Sequence, residues 1–402
     1  MRRNDSFYLK RIANVPYILP TGQMVADLKR GVKINETGEF IWDCLKDDLT
    51  REELNEKCFE YFEASDEDKE EIKEGIDEFL KYLESLGMTA RNDYINSSVK
   101  SEEAKDEFVP YKNLEYIKTV EIANIKVGFY GDSECIEDRF DAFMTESEGA
   151  DDLRIEIIHE APRTISGKEL IVDAAIETTE CDDRYVLRFT ESEKITECHL
   201  SKKGNFARFY LKDDLDEAEK ELLFHAIRTV FLYKALLKGM VAIHSASILY
   251  KNKVWLFSAS AGTGKSTHAG LWKELFDTKI VNGDLNLIGV KNEKPVVYGL
   301  PWCGTSNTFD VKTYRLGGVI LLKRSRTNFV EDLSEDEKEL FVQQRIISPS
   351  WDKSFTDTQF EIVENIIKEG AIVARLNCTK DYEAAIVMKE YIDKKEADSF
   401  NE

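Results

Sequence analysis

In the first part of the chain, β-branched and aromatic residues gather in short runs at 8–12, 17–19 and 24–28. Turn residues such as Pro20-Thr21-Gly22 separate them, which predicts short strands. The period then changes to that of helices. Val32 to Gly38 leads into a short helix carrying Phe40, Ile41 and Leu45. Thr50 and Glu53 form a capping pair ahead of a second helix with Leu54, Cys58 and Phe62 at spacings of four. A third helix opens near Ser65 with Ile72, Ile76, Phe79, Leu80, Leu83 and Leu86 on one face, and Gly87 is placed to end it. These stripes predict core packing. From Thr89 to residue 107 apolar residues almost vanish, so a first domain at 1–90 and a linker at 91–107 are expected.

Beyond it, alternating runs at 119–123, 125–130, 154–158, 185–190 and 207–211 predict a mainly antiparallel layer within 108–215. An amphipathic helix at 215–238, ended by Gly239, opens a core at 216–402. Residues 241–250 and 254–258 read as a hairpin, 265–276 as a helix, and 279–284 as a strand ending in an acidic turn. A second hairpin follows at 285–290 and 295–298. The stretch 299–307 is too rich in glycine and polar residues to be core, and reads as a loop that meets substrate through Trp302, Cys303 and Gly304. A central buried strand at 316–322 ends at Lys323-Arg324. Helices at 335–346 and 357–368, a strand at 372–376 and a helix at 382–392 complete an α/β (α+β) fold with a mixed sheet.

The chemistry concentrates between the first hairpin and its helix. Ala259-Ser260-Ala261-Gly262-Thr263-Gly264-Lys265-Ser266-Thr267-His268 matches the ending of G-x-x-x-x-G-K-[ST], with Ala259 in place of the first glycine. That corner must then be turned with ordinary dihedrals. Backbone N–H groups of Ala261, Gly262, Thr263, Gly264, Lys265, Ser266 and Thr267 would cradle a polyphosphate at a helix N-terminus. Lys265 would reach the β- and γ-phosphates, and Ser266 would sit on a bridging Mg2+. The expected cofactors are ATP and Mg2+. Asp284 is placed to hold the metal or accept a proton, with His244 near the phosphates to orient it or share that duty.

Charge narrows the partners. With 77 acidic against 55 basic residues, the net charge of −22 opposes nucleic-acid binding. No apolar signal region follows Met1, and no run reaches the roughly 20 apolar residues of a span, so no membrane and a cytoplasmic setting are expected. The seven cysteines include no C-x-x-C pair, and the adjacent Cys198-His199 cannot readily share one metal; reduced thiols and no structural zinc are expected.

Ile34-Asn35-Glu36-Thr37-Gly38-Glu39-Phe40-Ile41-Trp42, with Leu54, Tyr61, the Phe79 to Leu83 stripe and Gly87, resembles the PqqD-like peptide chaperones, or RiPP recognition elements. The resemblance implies a winged-helix-like domain that binds the leader of a precursor peptide as an added strand. Ile243-His244-Ser245-Ala246, residues 259–268 and Val281-Asn282-Gly283-Asp284 resemble, over about 220–380, the HPr serine kinase/phosphorylase superfamily, which shares a core with ATP-dependent phosphoenolpyruvate carboxykinase. Within it the likeness is to kinases found beside peptide natural-product genes, including lasso-peptide kinases. The family implies Mg2+-dependent phosphoryl transfer from ATP, with His244 and Asp284 at family positions. Gly283 stands where a second aspartate would be. The leading expectation is a kinase that phosphorylates a hydroxyl of a leader-held precursor peptide. A nucleotide-switched leader chaperone and a small-molecule or carboxykinase-like kinase are the alternatives. The oligomeric state stays open, a homo-oligomer included.

Overall fold

A computed structural model describes residues 2–4, 7–20, 31–47, 49–90, 108–146, 151–163, 165, 167–172, 176–259 and 263–398. The run at 24–28, expected as a strand, and the linker at 91–107 lie outside them. The chain divides into two compact units: Met1–Glu103 with Leu170–Asp173 and Ser350–Lys353, and Ala104–Glu169 with Ala174–Pro349 and Ser354–Glu402.

In the first unit, Phe7–Ile12, Val15–Pro20 and Val32–Lys33 form an antiparallel sheet in that order. Three helices follow. Asn35 caps Glu36–Cys44 by accepting from the Gly38 N–H at 2.8 Å, and Thr50 and Glu53 cap Arg51–Tyr61 reciprocally. Lys69–Ser85 turns Ile76, Leu80 and Leu83 into a core shared with Phe7, Ile18, Ile41, Trp42 and Leu54. Thr89–Ala90, at the end of the expected first domain, pairs antiparallel with Arg2–Arg3. That contact joins residues far apart in sequence, which local composition cannot reveal.

The second unit is a mixed α/β assembly. One sheet runs in the order Tyr116–Ile122, Ile125–Gly131, Leu153–Ile158, Phe206–Leu211, Ile195–Ser201, Arg184–Phe189, Ile176–Glu180. Ile125–Gly131, Leu153–Ile158 and Phe206–Leu211 pair in parallel; the pairings Tyr116–Ile122 with Ile125–Gly131, Phe206–Leu211 with Ile195–Ser201, and on to Ile176–Glu180 are antiparallel. Ile195–Ser201 escapes sequence reading because polar side chains interrupt its apolar ones. His199 is nevertheless buried, and its Nε2 meets Glu197 Oε2 at 2.9 Å.

The other sheet is built on Val241–Tyr250. Its hairpin to Lys253–Ser258 turns at Lys251 and Asn252, both at positive φ, as a twisted two-residue turn requires. Val241–Tyr250 then pairs with Leu285–Lys291, which pairs with Lys294–Tyr298, which pairs with Tyr314–Arg324, which returns in parallel to Lys253–Ser258. The strands therefore close a ring. Ile372–Cys378 extends it in parallel from Tyr314–Arg324. The helix Glu217–Leu237, capped by Asp216 and ended by Gly239 at φ +77°, supplies Phe224 and Phe231 to the core. Among the described residues no helix is long and apolar enough to cross a membrane.

Candidate active site

Lys253–Ser258, Tyr314–Arg324 and Ile372–Cys378 run parallel, so their C-terminal ends open on one side of the sheet, where α/β folds bind ligands. The candidate loop leaves the first of these ends. Ala261 and Gly262 lie outside the described residues. Ala259 is 2% exposed, does not have positive φ, and packs with Phe257, Ala269 and Trp272. Its methyl group is thus a core contact where the motif has glycine. Gly264, at φ +112°, turns the chain into the helix Lys265–Phe276, a conformation costly for any side-chain-bearing residue.

Thr263 and Gly264 are half-buried, and Ser266 and Thr267 are exposed at the first helical turn. Lys265 is only 9% exposed, and its ammonium has neither an ion pair nor a hydrogen bond among the described residues. Burial pulls its pKa down, while the charge of Asp284 opposes that and Arg345 adds to it. A buried ammonium with no direct ion pair among the described residues fits an anion held in this loop. His268 belongs to packing: it is buried, faces Phe257 edge-on, and its Nε2 accepts from the Trp272 indole at 3.3 Å.

Asp284 and His244 come together as sequence reading expected. His244 Nδ1 lies 3.4 Å from Asp284 Oδ1. Burial and the nearby Lys265 lower the His244 pKa against the pull of Asp284, keeping the imidazole neutral at physiological pH. The Asp284 turn is fixed by Asn282, whose Oδ1 accepts from the N–H groups of Asp284 and Leu285 at 2.9 and 3.0 Å. Asn282 Nδ2 in turn donates to the Trp302 carbonyl at 3.1 Å. Beneath them, buried Ser245, Ser247 and Asn286 satisfy one another. Position 283 has no room for a second acid: a Cβ on Gly283 would stand 2.1 Å from Ser306 Oγ and 2.5 Å from Ser306 Cβ.

The loop 299–307 departs from expectation. Leu300, Trp302 and Cys303 are each 1% exposed. Trp302 is wedged among Phe140, Phe224 and Phe231, and its indole N–H donates to the Phe224 carbonyl at 2.9 Å. Its side chain and that of Cys303 belong to the core, not to a substrate surface. Gly304 differs, since a Cβ there would stand 2.9 Å from Asp284 Cβ; it backs the acid directly.

Sequence reading missed several cations. Residues 345–347 run along Val241–Tyr250, with His244 N–H donating to the Arg345 carbonyl at 3.0 Å and Ile347 N–H to Ala242 at 2.9 Å. Arg345 is thereby brought near Lys265 and His244. From the helix Glu217–Leu237, Arg228 is close enough for Asp284 and His244 to feel its charge. No local motif marks either arginine. A cavity of about 530 Å³ adjoins Thr263 and is lined by Lys323, Arg324, Gln344, Arg345, Arg375 and Phe341. Lys323 and Arg324, where the sequence places the end of the central strand, both line this cavity. A smaller one of about 170 Å³ lies between Thr263, Thr267 and Leu271 on one side and Cys378, Thr379 and Lys380 on the other.

No protein-family model matches the chain, and no curated protein matches it. Among solved structures, the Hpr(Ser) kinase/phosphatase from Coxiella burnetii is similar to it with a TM-score of 0.23 and 10% sequence identity, over 39% of this chain and 98% of that one. A likeness this slight carries no inference about the present chain.

Proposed function

We propose that the chain is an ATP- and magnesium-dependent phosphotransferase that phosphorylates a hydroxyl side chain of a ribosomally synthesised precursor peptide, with the leader of that peptide held by residues 1–90. The observation that carries the phosphotransfer is Lys265, a buried cation at a helix start that makes no direct ion pair among the described residues, near the charge of Asp284 and of Arg345. Bound magnesium ATP would supply the transferable phosphoryl group and part of its charge neutralisation. Lys265 and the N–H groups of the loop would hold phosphate, and Ser266 and Asp284 would hold the metal. Asp284 takes the proton of the acceptor hydroxyl at its carboxylate, and neutral His244 orients that carboxylate.

The peptide half rests on the PqqD-like resemblance. Holding the leader on the same chain raises the local concentration of the acceptor, so the catalytic unit need not bind it tightly.

The test incubates the full chain with Mg2+, ATP and a leader-containing peptide and follows peptide mass. Gain of a phosphoryl group, lost in Lys265→Met, is expected. ATP binding with no transfer to any hydroxyl-bearing peptide would favour the nucleotide-switched chaperone; transfer to a small molecule, undiminished without residues 1–90, would favour a metabolic kinase.

A further inference from the structure

We propose that Asp132, Cys135 and His159 form a binding site for a zinc-class divalent transition-metal ion, different in donor chemistry from the magnesium site proposed at Ser266 and Asp284. Their ligand atoms all lie within 4.8 Å of one another. The backbone builds the cluster. Ile125–Gly131 and Leu153–Ile158 run parallel with Gly131 opposite Ile157, so the two strands finish side by side. The chain leaving the first supplies Asp132 and Cys135, and the chain leaving the second supplies His159. The Asp132 N–H donates to the Ile157 carbonyl at 3.2 Å, which ties the two exits together.

Within this frame the side chains are already aimed at a common point. Asp132 caps the single 3-10 turn Ser133–Cys135, its Oδ1 accepting from the Glu134 N–H at 2.9 Å. Its other oxygen, Oδ2, is met by Cys135 Sγ at 3.1 Å and by His159 Nε2 at 2.8 Å. The Glu134 contact is the kind of outer bond that orients a ligating carboxylate.

A tetrahedral ion with bonds of about 2.0 to 2.3 Å holds its ligand atoms about 3.3 to 3.5 Å apart. The contacts of Asp132 Oδ2 with Cys135 Sγ and His159 Nε2, at 3.1 and 2.8 Å, therefore need to open by only a few tenths of an ångström, and the half-exposed His159 ring has room to move. A thiolate, an imidazole and a carboxylate together suit zinc; magnesium and calcium prefer oxygen alone. Three protein ligands leave a fourth position for water, and the exposure of His159 puts it at the surface. On binding, the Cys135 thiol proton passes to solvent and a metal–sulfur bond replaces the S–H bond, with no redox change.

The test titrates the full chain, reduced and freed of metal by a chelator, with Co2+. A thiolate-to-cobalt charge-transfer band in the near ultraviolet is expected, together with visible bands of four-coordinate intensity, saturating at one ion per chain, displaced by Zn2+ and indifferent to Mg2+. Cys135→Ser should abolish the charge-transfer band. His159→Gln, at a half-exposed position that does not threaten folding, should weaken binding by at least the roughly tenfold that loss of even an outer partner costs. Absence of the thiolate band, its survival in Cys135→Ser, or unchanged affinity in His159→Gln would each overturn the site. If Cys135→Ser failed to fold, the His159→Gln titration alone would decide.

Discussion

His244 and Asp284 face each other because backbone holds them there: His244 pairs with Leu285 across two antiparallel strands, and the Ser245 N–H donates to the Asp284 carbonyl at 2.9 Å. Their side-chain separation of 3.4 Å is longer than a charge-assisted hydrogen bond, so each group keeps capacity for a further partner.

Asp284→Asn preserves size and removes charge, and is expected to lower kcat by about 10² to 10⁴ while leaving peptide binding to residues 1–90 unchanged. His244→Ala should cost less. If the histidine acts through the acid, the double variant will be no slower than Asp284→Asn alone. Because burial lowers the His244 pKa, the acid limb of the rate should fall below the ordinary imidazole value of about 6.5. Single-turnover reactions followed by mass spectrometry measure all of these; multiplicative losses would show independent roles.

Gly283→Asp would add a second acid, yet its Cβ collides with Ser306, whose hydroxyl also donates to the Cys303 carbonyl at 2.7 Å. The overpacking should destabilise the protein by about 1 to 3 kcal/mol. Ser306→Gly in the same chain should recover most of that loss in thermal unfolding. A Gly283→Asp protein as stable as the parent would mean that the turn yields more easily than the packing indicates.

Trp302→Ala should cost about 3 to 5 kcal/mol, as expected for an aromatic removed from a closed core. Trp302→Phe keeps the ring but leaves the Phe224 carbonyl without its donor, and should cost about 1 kcal/mol. Neither change should raise the KM for an acceptor beyond what unfolding explains. A folded Trp302→Phe protein with a greatly raised KM would restore the substrate-contact reading.

His268 gives an acid sensitivity. Burial lowers its pKa to about 4 from about 6.5. Between those values the unfolded chain binds the proton and the folded one does not. Stability is therefore full above pH 6.5 and declines as the pH falls toward 4, by about 3 kcal/mol in all. Denaturant unfolding across that range should show the decline, and His268→Gln should flatten it. An unchanged slope in the variant would assign the acid sensitivity elsewhere.

Much of this was legible in the sequence where the signal is local. The hairpin turn at Lys251-Asn252, the helix Lys265–Phe276 and the caps at Thr50 and Gly239 each follow from neighbouring residues. The proximity of His244 to Asp284 was also foreseeable, since His244 lies in the hairpin that leads to the loop and Asp284 in the turn that ends the strand after the loop helix. What stayed hidden was non-local. Arg345 and Arg228 reach the site through packing of distant segments, and Asp132, Cys135 and His159 meet only because two strands end together. Residues 299–307 misled for another reason: glycines and hydroxyls dominate the composition, while Leu300, Trp302 and Cys303 carry its buried surface.

The ring of strands also bears on how the nascent chain acquires its site. Lys253–Ser258, which carries the loop, gains its hairpin partner at once but its second neighbour only when Tyr314–Arg324 has left the ribosome. Until then one edge of that strand stands open, and open edges invite pairing with other chains. The local hairpin can form early, whereas closure waits on contacts distant in sequence, which are slow to make. Nucleotide-binding capacity should accordingly appear late in synthesis and as a single step, and fragments ending before residue 324 should need chaperone protection while showing no partial affinity.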